Sequence, residues 1–139
     1  MACLHLSTVT LRIIGDDLDP EEVSRLLCCR PTSAQRKGEE IVGKKTGTLR
    51  VAKSGSWRFE VSDCENGDLD EQIKGVFRPL SGDITVWRFL ASRFKMDLFC
   101  GLFMNCSNEG LDVSAESLLA LGERGVSLGL NLYGPLENT

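Results

Sequence analysis

Several short stretches of this 139-residue chain alternate apolar and polar side chains with a period of two, the pattern of a half-buried β-strand. These stretches are residues 8–13, 48–52, 56–61 and 126–133. Residues 96–103 are instead apolar at nearly every position. Such a run is expected of a central strand that is covered on both faces. The pattern therefore predicts five strands.

A β-hairpin is predicted from residues 48–52 and 56–61, because only a short connection containing Gly55 separates them. Alternation would turn Leu49 and Val51 of the first strand inward. The inward residues of the second strand would then be Trp57, Phe59 and Val61.

Apolar residues spaced three and four apart predict helices between these strands. The first begins after Asp19 as the cap, with Pro20 at the first helical position and Glu22 completing a capping box. The others begin near residues 68 and 83 and after Ser114. Their apolar positions, in chain order, are Val23, Leu26 and Leu27; Leu69, Ile73, Val76, Phe77 and Leu80; Val86, Trp87, Leu90 and Phe94; and Leu118, Leu119 and Leu121.

The order of these elements predicts one α+β domain over residues 1–139, with its core from about residue 7 to 134. We expect about five mainly antiparallel strands and three to four helices. The two halves also resemble each other, since GDDLDPEEVSRLL and NEGLDVSAESLLAL both run from a polar loop through a Leu-Asp pair into a capped helix. A ferredoxin-like duplication of a strand-helix-strand unit is one arrangement that fits this repeat.

The composition, 42% hydrophobic and 26% charged, is that of an ordinary globular protein. No stretch approaches the roughly 20 apolar residues that cross a bilayer, and the first residues lack the basic start and apolar run of an export signal. We therefore expect a cytoplasmic protein that is not in a membrane. Its six cysteines would then stay reduced, without disulfides.

The adjacent Cys28 and Cys29 raise the question of a metal or redox site. Helical spacing places Cys28 near the end of the first helix and Cys29 at the margin of its apolar face, just before Pro31 ends the helix. Zinc sites normally use two pairs of ligands, and the two ligands of a pair are separated by two to four residues. The chain has one histidine, His5. The pair is therefore interpreted as a helix terminus.

Few residues suggest catalysis. A hydrolase needs a nucleophile, a base and an orienting group together, and no such combination accompanies His5. Asp16, Asp17 and Asp19 could hold a hard cation, but Asp19 is explained as a helix cap and the other two as turn residues. GKKTGT lacks the spacing of a phosphate-binding loop. We predict a protein that is not an enzyme and that has no metal site or cofactor.

The charge is uneven, because residues 30–58 hold eight of the sixteen basic residues and two of the twenty acidic ones. This basic segment carries +6 and the rest of the chain −10. It is interpreted either as a solvated face whose lysines discourage edge pairing or as a surface for an anionic ligand or an acidic partner. The candidate ligand-binding residues are Arg30, Arg36, Lys37 and Arg58. Nucleic-acid binding is not expected, because the net charge is −4 and the segment's aromatic residues are predicted to face inward.

Motifs along the whole chain resemble the bacterial domain-of-unknown-function 4279 family. They are LRIIGDDLDPEEVSRLL, RPTSAQRKGE, GSWRFEVSD, DLDEQIKGVFRPL and LDVSAESLLALGERGVSLGLNLYG, and the resemblance spans about residues 7–133. It implies no assigned activity. Family members tend to have Leu-Gly-aliphatic where this chain has Leu27, Cys28 and Cys29. The resemblance thus implies that the cysteines replace a helix-ending residue and a buried apolar residue.

Two functional hypotheses follow. The first is a noncatalytic protein-interaction module, such as an immunity-type inhibitor whose acidic face covers a basic toxin surface; this rests on class resemblance, because fold does not determine function. The second is a small anionic-ligand-binding or sensory module with a pocket near the basic loop. Either protein could be a monomer or a homodimer, since an uncovered edge strand favours pairing.

Overall fold

The fold is seen in a computed structural model of the chain, which describes residues 4–43, 47–61, 64–65, 68–108 and 110–135. Several residues considered in the sequence analysis lie outside the described residues or have side chains outside them: Cys3, the imidazole of His5, Lys44, Lys45 and the thiol of Cys64.

Four helices form in the described residues, and all four were predicted. They are α1 (Pro20–Leu27), α2 (Leu69–Phe77), α3 (Ile84–Arg93) and α4 (Ala115–Arg124). Each starts after a side chain that accepts a hydrogen bond from a backbone amide of the first turn, the usual stabilisation of a helix start. The capping residues are Asp19, Asp68, Asp83 and Ser114. The Glu22 carboxylate, expected to complete a capping box, instead accepts a hydrogen bond from Arg93 at 2.8 Å.

The strands are β1 (Leu4–Gly15), β2 (Ser33–Gln35), β3 (Glu40–Val42), β4 (Leu49–Val51), β5 (Gly55–Glu60), β6 (Cys64–Glu65), β7 (Lys95–Met104) and β8 (Ser127–Tyr133). The main sheet has the order β2-β5-β1-β7-β8, with β6 paired to one end of β1, and β3 and β4 form a separate small sheet. All pairs are antiparallel except β7 with β8. The prediction of a mainly antiparallel α+β domain is confirmed.

Both halves of the chain contain a β-α-β unit. Strands β1 and β2 run in the same direction, because each is antiparallel to β5, which lies between them. Strands β7 and β8 are parallel immediate neighbours on either side of α4 in the sequence. The two units therefore differ by one inserted strand, and the repeat seen in the sequence is an approximate one.

The helices pack on one face of the main sheet. On β1 this face carries Val9, Leu11 and Ile13, and on β7 the neighbouring buried residues include Leu98 and Leu102. The other side chains of the core come mostly from the predicted helical stripes. Burial of these apolar side chains is the main favourable term in the stability of the domain.

Two tryptophans anchor this core, and both are fully buried. The Trp57 indole Nε1 of β5 donates to Ser24 Oγ of α1 at 3.0 Å. The Trp87 Nε1 of α3 donates to the carbonyl oxygen of Ser81 at 2.7 Å. Because a buried polar group without a partner is costly, these bonds fix the orientation of both rings.

The predicted hairpin between residues 48–52 and 56–61 is wrong. Strand β4 pairs with β3, whereas β5 pairs with β1 and β2. Leu49 and Val51, predicted to face inward, are 55% and 57% exposed, because the small sheet is not covered by a helix layer. Trp57 is buried as predicted, and Phe59 and Val61 pack against the core from half-buried positions.

Strand β7 is central, as predicted, but the helices cover only one of its faces. The opposite side of the main sheet, termed the open face, carries Arg12, Asp97 and Phe99. The guanidinium of Arg12 makes two hydrogen bonds to Asp97, at 2.8 and 2.6 Å, and lies 4.8 Å from the centre of the Phe99 ring. The half-buried state of Phe99 is thus due to neighbouring side chains of the sheet itself.

Candidate functional site

Two of the four predicted ligand-binding cations form ion pairs with the acidic turn before α1. Arg36 Nη2 lies 2.8 Å from Asp19 Oδ1, and Lys37 Nζ lies 3.2 Å from Asp16 Oδ2. Exposed pairs of this kind contribute little to stability, but each removes a cation from the set available to a ligand.

The acidic turn itself was considered as a cation site. Asp17 Oδ2 lies 3.7 Å from Arg93 Nη2, and Asp19 also caps α1. The carboxylates of the turn therefore face protein cations. Within the described parts of the chain, no three His, Cys, Asp or Glu side chains are grouped so that they could hold a metal ion.

The other two predicted cations, Arg30 and Arg58, are exposed. Arg58 lies opposite Ser33 in the pairing of β5 with β2, whereas Arg36 follows the far end of β2 and turns toward Asp19. The structure therefore does not gather the four residues at one site. Ligand binding by this set stays a prediction.

Arg58 does share a cavity with another arginine, Arg50 of β4. The cavity has a volume of about 440 Å³ and lies between the β3–β4 sheet and strands β2 and β5. We call it the arginine cleft. Arg50 is one of the eight basic residues of the segment but is not among the predicted ligand-binding residues, because the predicted hairpin paired β4 with β5 instead of β3.

The adjacent cysteines occupy the positions predicted for them. Cys28 ends α1 in the left-handed conformation, with φ of 58°, and the amides of Cys28 and Cys29 both bond to the carbonyl oxygen of Ser24. Cys29 is half-buried and packs against the core. Among the described residues Cys28 is the only one other than glycine with a positive φ, so this helix terminus carries a conformational cost.

A third thiol, Cys100, lies in the core of β7. Burial, with a smaller contribution from Asp97, raises the pKa of Cys100 to about 12. A thiol held in its neutral form is a poor nucleophile. Cys100 is therefore a small packing residue, as the strand pattern predicted.

The opposite end of the main sheet is apolar. Strand β8 is the last strand and has no charged residue from Ser127 to Tyr133. Leu130 and Leu132 are 47% and 56% exposed, although they share a face with the buried Cys100 and Leu102 of β7. They are exposed because they lie at the margin of the helix layer.

Helix α4 extends this apolar surface. One flank of α4 faces α2, since Asp70 accepts a hydrogen bond from the Ser114 amide at 2.8 Å and Lys74 lies 3.6 Å from Glu116. Leu118 is two residues beyond Glu116, about 200° around the helix, so it lies on the flank away from α2 and is 50% exposed. Of the three leucines noted in the sequence of this helix, only Leu121 is buried.

At its C-terminal end, β8 borders a larger cavity of about 820 Å³ between Leu6, Phe103, Leu132 and Tyr133. The rings of Phe103 and Tyr133 stack with their centres 4.5 Å apart, and Asn131 Nδ2 donates to the Tyr133 hydroxyl at 2.6 Å. We give the name apolar edge to the exposed Leu118, Leu130 and Leu132 on the helix side together with Tyr133 on the open face of β8. The sequence pattern predicted β8 but not that it would be the edge strand.

These features define a two-layer α+β protein in which the four helices of the described residues lie on one side of a mixed sheet. A family model described as "Domain of unknown function (DUF4279)" matches residues 5–135. The chain belongs to this family, and the resemblance noted in the sequence is confirmed. No curated protein and no solved structure matches the chain. No helix in the described part of the chain is long and apolar enough to cross a membrane.

Proposed function

We propose that this protein is a noncatalytic protein-interaction module that binds its partner through the apolar edge. The observation that carries the proposal is a seven-residue edge strand that has no charged side chain and that carries two exposed leucines, Leu130 and Leu132. Natural edge strands are normally protected by charges, proline, bulges or a covering element. An edge of this length that the described residues leave uncovered is suited to pairing with another chain.

The geometry of β8 indicates the kind of segment it would accept. A strand added to β8 would use its outer amide and carbonyl groups for main-chain hydrogen bonds, and its side chains would alternate between the two faces of the sheet. On the helix side they would meet Leu118, Leu130 and Leu132. On the open face they would meet Asn131 and Tyr133. The partner segment is therefore an extended one with apolar residues at every second position.

The distribution of charge supports a basic partner. The chain outside residues 30–58 carries −10. Opposite charges accelerate association and make it sensitive to salt. An immunity-type inhibitor of a basic toxin is one protein with these properties. The exposed thiol of Cys28 is compatible with a reducing cytoplasm, which is the compartment we propose.

The test uses tagged full-length protein on a column loaded with the host lysate, at low and at high salt. The wild type is compared with a Leu130→Lys, Leu132→Lys double variant and with Leu119→Lys, which places the same charge on an exposed leucine that points away from the edge. We expect one partner to be retained by the wild type and by Leu119→Lys and to be lost by the double variant. Equal retention by the double variant would contradict the proposal.

A second copy of this chain is the competing occupant of the edge. Light scattering on the purified wild type distinguishes it. A dimer that the Leu130→Lys, Leu132→Lys variant dissociates would show that the edge serves self-association. A wild-type monomer leaves the edge free for the foreign partner.

A further inference from the structure

We infer that the arginine cleft is a binding site for a small molecule that carries a carboxylate or phosphate group, held by Arg50 and Arg58. The inference is independent of the apolar edge, because the arginine cleft lies beside β2 and the apolar edge lies along β8, at the two opposite edges of the main sheet. A cavity of about 440 Å³ lies within the size range of small-molecule sites and is too small for a folded partner.

The charge of these two arginines is not neutralised within the described residues. Neither Arg50 nor Arg58 has a carboxylate oxygen within 4.0 Å there. Arg12 offers a direct comparison, since it lies opposite Arg58 in the pairing of β1 with β5 and is held by Asp97 through two hydrogen bonds. The same face of the sheet thus carries Arg12, which is paired, and beside it Arg58, which has no carboxylate partner among the described residues.

The rest of the lining adds neutral hydrogen-bonding groups. Ser33 and the largely buried Ser56 bring hydroxyls to the cleft, and the Gln35 amide is held in place by its hydrogen bond to the carbonyl oxygen of Ser54 at 3.2 Å. Guanidinium forks together with hydroxyl donors match the planar geometry of a carboxylate or the oxygens of a phosphate. The site therefore selects an oxyanion by hydrogen-bond geometry as well as by charge.

One carboxylate, Glu39, also lines the cleft and opposes an anion. With two arginines against this one acid the lining keeps a net positive charge. The backbone of Glu39 is held in place, because its carbonyl oxygen accepts a hydrogen bond from the amide of the buried Ala52 at 2.9 Å and the Gly38 amide donates to the Ala52 carbonyl oxygen. Replacing Glu39 by the uncharged glutamine should therefore strengthen the binding of an anion in the cleft.

The test is an NMR titration of the full-length, ¹⁵N-labelled protein at constant ionic strength, with inorganic phosphate in one series and succinate in the other. The signals followed are the arginine Nε–H groups. We expect saturable shifts of Arg50 and Arg58 with at least one probe and none of Arg88, which is exposed on α3. The probe that saturates identifies the group as a phosphate or a carboxylate.

Three variants complete the test. Arg58→Gln and Arg50→Gln should each weaken binding about tenfold or more, as expected for loss of a charge-assisted hydrogen bond, and Glu39→Gln should tighten it several-fold. Arg88→Gln is the matched control and should leave the affinity unchanged. The absence of saturable shifts with both probes in the wild type, equal shifts at Arg88, or a weakened Glu39→Gln variant would overturn the inference. The wild-type arms do not depend on the folding of any variant.

Discussion

The two edge strands of the main sheet, β8 and β2, differ in length and in the charge around them. At one edge β8 runs for seven residues without a charge and leaves leucines exposed. At the other edge β2 has only three residues, and the small β3–β4 sheet beside it forms one wall of the open cleft lined by Arg50 and Arg58. A long apolar edge favours pairing with another chain, whereas a small polar cleft favours a small charged ligand. The two proposed recognition surfaces therefore lie at opposite edges of one sheet.

The number of basic residues in residues 30–58 overstates the positive charge that is available to bind an anion. The basic segment carries +6 in the sequence, but Arg36 and Lys37 form ion pairs with carboxylates of the turn before α1. Arg50 and Arg58 of the arginine cleft, in contrast, have no carboxylate oxygen within 4.0 Å among the described residues. Pairing, and not the number of basic residues, decides which part of the segment is available to an anion.

The largest effect on stability is expected at Trp57, which lies on β5 next to Arg58 of the arginine cleft. The Trp57 side chain is fully buried and donates a hydrogen bond to Ser24. Trp57→Ala should lower the free energy of unfolding by about 3–5 kcal/mol, since it leaves a large cavity. Urea denaturation measures the change. Trp57→Phe, which keeps an aromatic ring, is the control and should cost less; a loss below about 1 kcal/mol for Trp57→Ala would contradict the packing described here.

All four helices could be predicted from the sequence, because their caps and their stripes are local patterns. The strands that pair with β4 and β5 could not be predicted. They include β3 and β2, which have three residues each and are too short to show a periodic pattern. Pairing is decided by contacts between distant segments, such as Ala34 opposite Trp57. For the same reason Arg58 could be selected as a candidate while Arg50, its neighbour in the cleft, could not.

The next largest effect on stability is expected at Asp70 of α2, which accepts a hydrogen bond from the residue that caps α4. The hydrogen bond from the Ser114 amide is the main cause that lowers the pKa of Asp70 below its ordinary value of 3.8. The fold therefore favours the ionised carboxylate, and this stability is present above pH 3.8 and is lost as the pH falls through the lower pKa of the folded state. Asp70→Asn should cost about 1–2 kcal/mol at neutral pH.

Urea unfolding of wild type and Asp70→Asn between pH 7 and pH 2.5 tests this expectation. The difference in stability between the two proteins should shrink as the pH drops below about 4, because protonation removes the charge that the variant already lacks. A difference that stays constant over this range would show that Asp70 does not titrate with the fold. The link from α2 to the apolar edge would then rest on packing alone.

A smaller, stabilising effect is expected on the polar side, at the end of α1. Cys28 has a φ of 58°, a conformation that costs a residue with a side chain about 1–2 kcal/mol relative to glycine. Cys28→Gly should therefore raise the free energy of unfolding by about 1 kcal/mol after the greater freedom of glycine in the unfolded chain is included. Cys28→Ala is the control, since it removes the thiol but keeps the strain. Equal gains from both variants would assign the effect to the thiol.

The smallest effect on stability is expected at the apolar edge. Leu132 is 56% exposed and lies beside the fully buried Leu102 in the pairing of β8 with β7. Leu132→Lys should change the free energy of unfolding by no more than about 0.5 kcal/mol, whereas Leu102→Ala should cost about 2–5 kcal/mol. Urea denaturation of both variants measures the contrast. A loss above about 1.5 kcal/mol for Leu132→Lys would place this leucine in the core. If the lysine leaves stability unchanged, the fold does not require an apolar residue at this position, and the exposed leucine is left available for contact with another chain.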